Sequence, residues 1–173
     1  IQAAQEKFSS IKGNVAKHFI GHLQTNKVKQ AVDLFDLIQS VDSLKLAEEI
    51  EKQACKSGKI MDILVQVNTS KEPQKSGIDE QLVSQLIRDI KDFKHIRLSG
   101  LMTMAPLIDD HSCIRSCFKT LKELFENIKK NVFSESDKQK QFRYLSMGMS
   151  NDFEIAIEEG SNMIRVGSAL FKK

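Results

Sequence analysis

Short apolar runs alternate with longer amphipathic stretches along the whole chain, and this alternation limits the fold more than any other feature. The clearest run is Ile60 to Val67, IMDILVQV. It is β-branched and nearly continuous, as a strand covered on both faces should be. Further strands are expected over His18 to His22, Asp36 to Val41, Ile96 to Met104, Phe142 to Met147 and Met163 to Val166. Helical periodicity predicts helices over Thr25 to Val32, Ser43 to about Lys56, Asp79 to Ile90, Asp109 to about Lys130 and Asn151 to Glu159. Ser43 is a cap, and Gly58 and Gly160 are stops. Asn151 and Glu154 stand in capping-box register. Gly167-Ser168 opens a short last helix.

Repeated strand-helix units predict a parallel sheet in one α/β domain over residues 1–173. A doubly wound sheet and a (β/α)8 barrel both fit. A barrel needs eight units and usually over ~200 residues, so this chain is about two units short. It also opens at Ile1, without Met, inside a helix-like stretch, and a missing start is expected. A six-stranded open barrel leaves two bare edges, which predicts poor stability or self-association for such a piece.

Hydrophobic residues make up 40% and charged residues 28%, enough for a core and a solvated surface. The net charge of +3 comes from interspersed charges. That pattern argues against nucleic acid, and no apolar run reaches membrane-spanning length. Three cysteines without a secretory segment favour the cytoplasm. Cys113 and Cys117 share a helix face near His111, but no fourth ligand has a usual metal spacing, so two small packed positions is the better reading.

Two segments near the end bear on chemistry. Leu145 to Ser150 (LSMGMS) and Ile164 to Ala169 (IRVGSA) each run from a strand through small residues into a helix. Gly148 and Gly167 let backbone approach an anion, and Ser150 and Ser168 add hydroxyl donors. Turns and caps alone would explain either segment; two in succession bring a phosphate site, as in the last loops of a barrel, level with that reading. Arg165 shares a strand face with Met163 and Gly167, so it faces the same region and needs an acceptor, either a ligand or a carboxylate. His18, Ile20 and His22 alternate onto one face; a structural role outweighs a metal pair. Lys75, in the loop after the surest strand, is the best charge there for attracting an anion. No GxSxG, Walker A or HExxH occurs, and Tyr144 is the only tyrosine.

Five segments together resemble the pyridoxal 5′-phosphate homeostasis protein family. They are HFIGHLQTNKVK at 18 to 29, QVNTSKEPQKSGI at 66 to 78, LSGLMTMAP at 98 to 106, LSMGMSNDFEIAIEEGS at 145 to 161, and IRVGSALF at 164 to 171. The resemblance covers the whole chain. It implies a TIM-type barrel like the alanine racemase N-terminal domain, here missing about the first two βα units, without a second domain. It implies pyridoxal 5′-phosphate as the cofactor, a buffering and delivery role, no catalytic activity, PLP-dependent apoenzymes as recipients, and a monomer when complete.

Carried over by position, Gly148, Met149, Ser150, Gly167 and Ser168 match the phosphate cradle, with Ser146 nearby. Arg165 matches the arginine that faces the pyridine nitrogen. The family's Schiff-base lysine and its FGENY-type segment have no counterpart here, and Ile1 to Phe8 resembles the helix just after them. The 173 residues alone are therefore expected to bind anions only weakly. A racemase-like enzyme and another phosphate-binding barrel remain the competing readings.

Overall fold

The computed structural model describes residues 1, 6, 8, 13–70, 72, 76–133 and 136–171, the side chains of 136–138 and 171 excepted. Among the described residues, seven strands form one parallel sheet: β1 (His18–Phe19), β2 (Leu37–Val41), β3 (Met61–Asn68), β4 (Ile78–Asp79), β5 (Ile96–Met102), β6 (Tyr144–Met149) and β7 (Met163–Arg165). Their order is β1-β2-β3-β5-β6-β7, with β4 paired to β3 off this path. Strands therefore join in chain order with no reversal. A doubly wound sheet must reverse, so the open alternative resolves to an incomplete barrel. Crossovers of this parallel order, right-handed as a rule, place the helices that connect successive strands on the same face.

The helices are α1 (Val28–Leu34), entered through a tight turn at Thr25–Lys27, α2 (Leu44–Lys56), α3 (Val83–Ile90), α4 (His111–Asn131), α5 (Ser136–Gln141), α6 (Phe153–Glu158) and α7 (Ser168–Phe171). The Ser43 hydroxyl accepts from the Leu46 N–H, as its capping position requires. Asp110 caps α4, accepting from the Ser112 and Cys113 N–H groups at 2.9 and 3.2 Å. Two expectations need correction here. Asp79 starts no helix; it pairs with Asn68 as part of β4. The capping box at Asn151 does not form either, because Asp152 is the N-cap and its carboxylate turns back to the Met149 N–H.

Strand periodicity sorts side chains onto two faces. Outward residues such as Ile38, Ile63, Val65 and Leu101 pack with Ile50, Ile87, Phe118 and Leu121 from the helices, all fully buried. Each such side chain contributes roughly 1.5–3 kcal/mol. Inward residues Leu37, Leu64 and Met102 form a second cluster with Tyr144 and Met163, inside the curl of the sheet. Two irregularities shape that curl. The β3–β5 register shifts between Ile63 and Leu64, opposite Gly100, where a Cβ would run into the Tyr144 carbonyl. The β6–β7 register shifts between Ser146 and Met149, at the positive-φ residue Gly148. Such bulges bend a strand and re-aim its end.

Candidate functional site

A cavity of about 630 Å³ opens at the carboxyl ends of the strands, with His18, Gln39, Ser150, Arg165 and Gly167 in its lining. This size suits a small cofactor. Arg165 ends β7. Its Nη1 donates to Ser146 Oγ at 2.6 Å and its Nη2 to the Thr103 carbonyl at 2.7 Å. Both partners are neutral, and among the described residues no carboxylate hydrogen-bonds the guanidinium. Burial pushes its pKa down to about 10, and the Asp152 carboxylate pulls it partly back. Arg165 thus stays cationic at neutral pH, and burying that charge without a paired anion is costly. A guanidinium has five donors; two are used, and an acceptor in the cavity would relieve the cost.

Behind the arginine lies a buried polar chain. Ser146 donates to Gln39 Oε1 at 2.6 Å, and Gln39 Nε2 reaches His18 Nδ1 at 3.1 Å and Met163 Sδ at 3.3 Å. Thr103 Oγ1 donates to the Val67 carbonyl. Gln39 is 1% exposed and Ser146 fully buried. Ser146 therefore sits beneath Arg165, apart from the loops assigned to the cradle.

Those loops do meet. Ser150 Oγ accepts from the Gly167 and Ala169 N–H groups, each at 3.2 Å. Ser168 is exposed at the first position of α7, and the Met149 side chain is partly exposed beside the cavity. The two glycines differ. A Cβ on Gly167 would meet nothing within 4 Å, so its backbone is open to an incoming group. A Cβ on Gly148 would lie 2.6 Å from Ala156 Cβ and 3.0 Å from Phe153 Cα, and its φ is +97°. Gly148 therefore makes room for α6, while Gly167 leaves open space beside its backbone.

His18 and His22 do not share a face. The first strand ends at Phe19, Ile20 follows His18 into the cavity wall, and His22 turns to a separate pocket beside Phe19 and Leu23. Among the described residues no group of three His, Cys, Asp or Glu could hold a metal. Cys117 is buried and donates to the Thr69 carbonyl; Cys113 is half-buried. Lys75 lies outside the described residues, and no described lysine lines the cavity. Sequence reasoning passed over Gln39 and Thr103. The signal for Gln39 was a glutamine inside an otherwise strand-like apolar run, LIQSV.

The family model for the alanine racemase N-terminal domain matches residues 11–173. The pyridoxal phosphate homeostasis protein of Aquifex aeolicus is 36% identical over 172 residues, which is 99% of this chain and 73% of that one. The structure of PipY from Synechococcus elongatus with PLP bound superposes with a TM-score of 0.86 at 30% identity, covering 99% of this chain and 76% of PipY. The fold also matches an alanine racemase of Clostridium difficile, with a TM-score of 0.81 at 14% identity, over 99% of this chain and 45% of the racemase. The chain belongs to the alanine racemase N-terminal domain family and, within it, to the pyridoxal phosphate homeostasis proteins.

Proposed function

We propose that the chain binds pyridoxal 5′-phosphate at the mouth of its half-barrel and serves to hold and hand on that cofactor, without turning over a substrate. The observation that carries this reading is Arg165, a half-buried cation with neutral partners in the lining of a cofactor-sized cavity. The names of its relatives and the PLP-bound PipY structure support it.

The residues fit the group. The Ser150, Gly167 and Ser168 hydroxyl and backbone donors would hold the phosphate, and Gly167 leaves its approach open. Arg165 would face the ring nitrogen. Donating at every nitrogen, it can only donate there, and so opposes protonation of the ring. Pyridoxal phosphate, when bound, supplies an aldehyde that condenses with amines and a ring that draws electrons when protonated. Arg165 suppresses the second property and leaves the first, which suits a carrier.

An enzyme of the racemase type would need a positioned acid–base pair. Tyr144, the one tyrosine, takes a hydrogen bond from Arg143 at 2.8 Å and packs in the inner cluster with Leu37 and Met102. It stands away from the described lining of the cavity. PLP-dependent apoenzymes are the recipients this reading requires. We place the protein in the cytoplasm: its three thiols are free, and no described helix is long and apolar enough to cross a membrane.

Titration of the chain with pyridoxal 5′-phosphate, followed by absorbance, tests the reading. Saturable binding that Arg165→Met weakens at least tenfold is expected. Binding unchanged by Arg165→Met, or none at millimolar ligand, refutes it.

A further inference from the structure

The polar chain behind Arg165 has a direction fixed by chemistry. A guanidinium carries donors only, so Ser146 Oγ is the acceptor of its 2.6 Å bond. The Ser146 hydrogen then points to Gln39 Oε1. That fixes the Gln39 amide, whose Nε2 faces His18 Nδ1 at 3.1 Å. Nδ1 must accept, so a neutral His18 carries its hydrogen on Nε2. No described residue hydrogen-bonds Nε2, and the ring lines the cavity.

We propose that Gln39 and His18 form a protonation-dependent brace for Arg165: neutral His18 keeps the chain in register, and protonated His18 breaks it and loosens the hold of Arg165 on a ligand in the cavity. The ligand part rests on the cofactor reading above; the brace does not. Protonated Nδ1 would place two donors head to head. With the ring still against it, Gln39 could answer only by turning its amide. Ser146 Oγ would then face donors from both Arg165 and Gln39, and its own hydrogen would lose its acceptor. Gln39 and Ser146 are too deeply buried for water to repair this.

The charged and titratable groups around His18 come from several elements. Asp36 precedes β2 and takes the Lys17 N–H at 2.7 Å. Asp62 on β3 is paired with Arg97. Arg165 on β7 acts through Gln39, with Asp152 beside it, and Lys17 and His22 flank His18 in its own segment. His18 is exposed on one side, yet its partial burial outweighs Asp36 and Asp62, which favour protonation, and holds its pKa below the ordinary value. The brace is therefore intact at neutral pH and fails only below the ordinary histidine range.

Nitrogen-15 NMR of the full chain tests this without ligand. At pH 7.5, long-range imidazole correlations should show the Nε2–H tautomer of His18, and Arg165 should give a sharp Nε–H signal. At pH 5.5 that signal should broaden. His18→Asn carries an acceptor that does not protonate in this range and should keep the Arg165 signal unchanged between the two pH values. Gln39→Leu should lose it at both. With pyridoxal 5′-phosphate as probe, the affinity ratio between pH 7.5 and 5.5 should be about tenfold larger in the unmodified chain than in His18→Asn; the ligand's own titration is common to both. An Nδ1–H tautomer, or an Arg165 signal identical at both pH values in the unmodified chain, overturns the brace. If Gln39→Leu does not fold, the tautomer and the His18→Asn comparison still decide. Failure of the cofactor reading looks different: the Gly167 and Ala169 amides stay unmoved on adding pyridoxal 5′-phosphate, whatever the histidine does.

Discussion

Replacing Gly167 and Gly148 separately by alanine divides ligand binding from architecture. At Gly167 the new methyl meets no atom within 4 Å, and φ lies outside the left-handed range. Its effect on stability should come from the unfolded chain, a gain of roughly 0.4–1 kcal/mol at most. Yet the methyl would occupy the open space beside Ser150 and Ser168 through which a phosphate approaches, so affinity for pyridoxal 5′-phosphate should fall at least tenfold. At Gly148 two costs add. An L-residue at φ +97° costs roughly 1–3 kcal/mol. A methyl 2.6 Å from Ala156 Cβ and 3.0 Å from a backbone carbon of α6 overpacks by about 1–3 kcal/mol. The sum, roughly 2–6 kcal/mol, is a large part of a typical domain's stability and lowers Tm by on the order of 10 °C. Urea unfolding gives the stabilities and absorbance titration the affinities. A Gly167→Ala chain that binds as tightly as the original removes Gly167 from the cradle, and a Gly148→Ala chain of undiminished stability refutes the packing argument.

Three further outcomes are expected. Arg165→Lys keeps the charge but not the planar fork that serves Ser146 and Thr103 together, so ligand affinity should drop at least tenfold, about 1.4 kcal/mol by titration. Phe142 is fully buried, stacked on Phe125 with ring centres 4.8 Å apart and close to Phe133; Phe142→Ala should cost about 3–5 kcal/mol in urea unfolding. Because burial holds the His18 pKa low, the unfolded chain takes up that proton at higher pH than the folded one. Stability should be full above the ordinary histidine value of about 6.5, fall as pH drops through it, and level off below the folded value. Urea midpoints from pH 8 to 5 in the original chain and in His18→Asn check this; identical slopes in the two would count against it.

What the sequence made legible follows from how much burial each segment carries. β3, α2 and α4 are long, and one face of each helix is apolar over several turns, so their periods are unmistakable. β4 is two residues held by pairing with β3, and α5 is one short polar helix; neither has a period to read. The strand at His18 was expected to run to His22 but ends at Phe19. Choosing between an open sheet and a barrel required the strand order, which no local pattern contains. At the site, alternation placed Arg165 on the same face as Met163, and both do point into the curl. Gln39 was visible only as a polar residue in an apolar strand, because its partner Ser146 lies 107 residues away. The packing role of Gly148 against α6 was not legible, because a glycine that admits a helix and a glycine that admits a ligand look alike in a sequence.

The strands are laid down in chain order, yet the cavity takes residues from both margins of the sheet: His18 from β1 and Arg165 from β7. The curl already brings Gln39 on β2 to 3.3 Å from Met163 on β7. Mechanically the sheet is an arch, and a molecule seated between its two feet is a tie across the span. Spreading the arch and releasing the molecule then become one event. Backbone amides of β1 and β7, at opposite margins, should gain protection from hydrogen exchange together and by the same factor when ligand is added, although neither strand hydrogen-bonds the other.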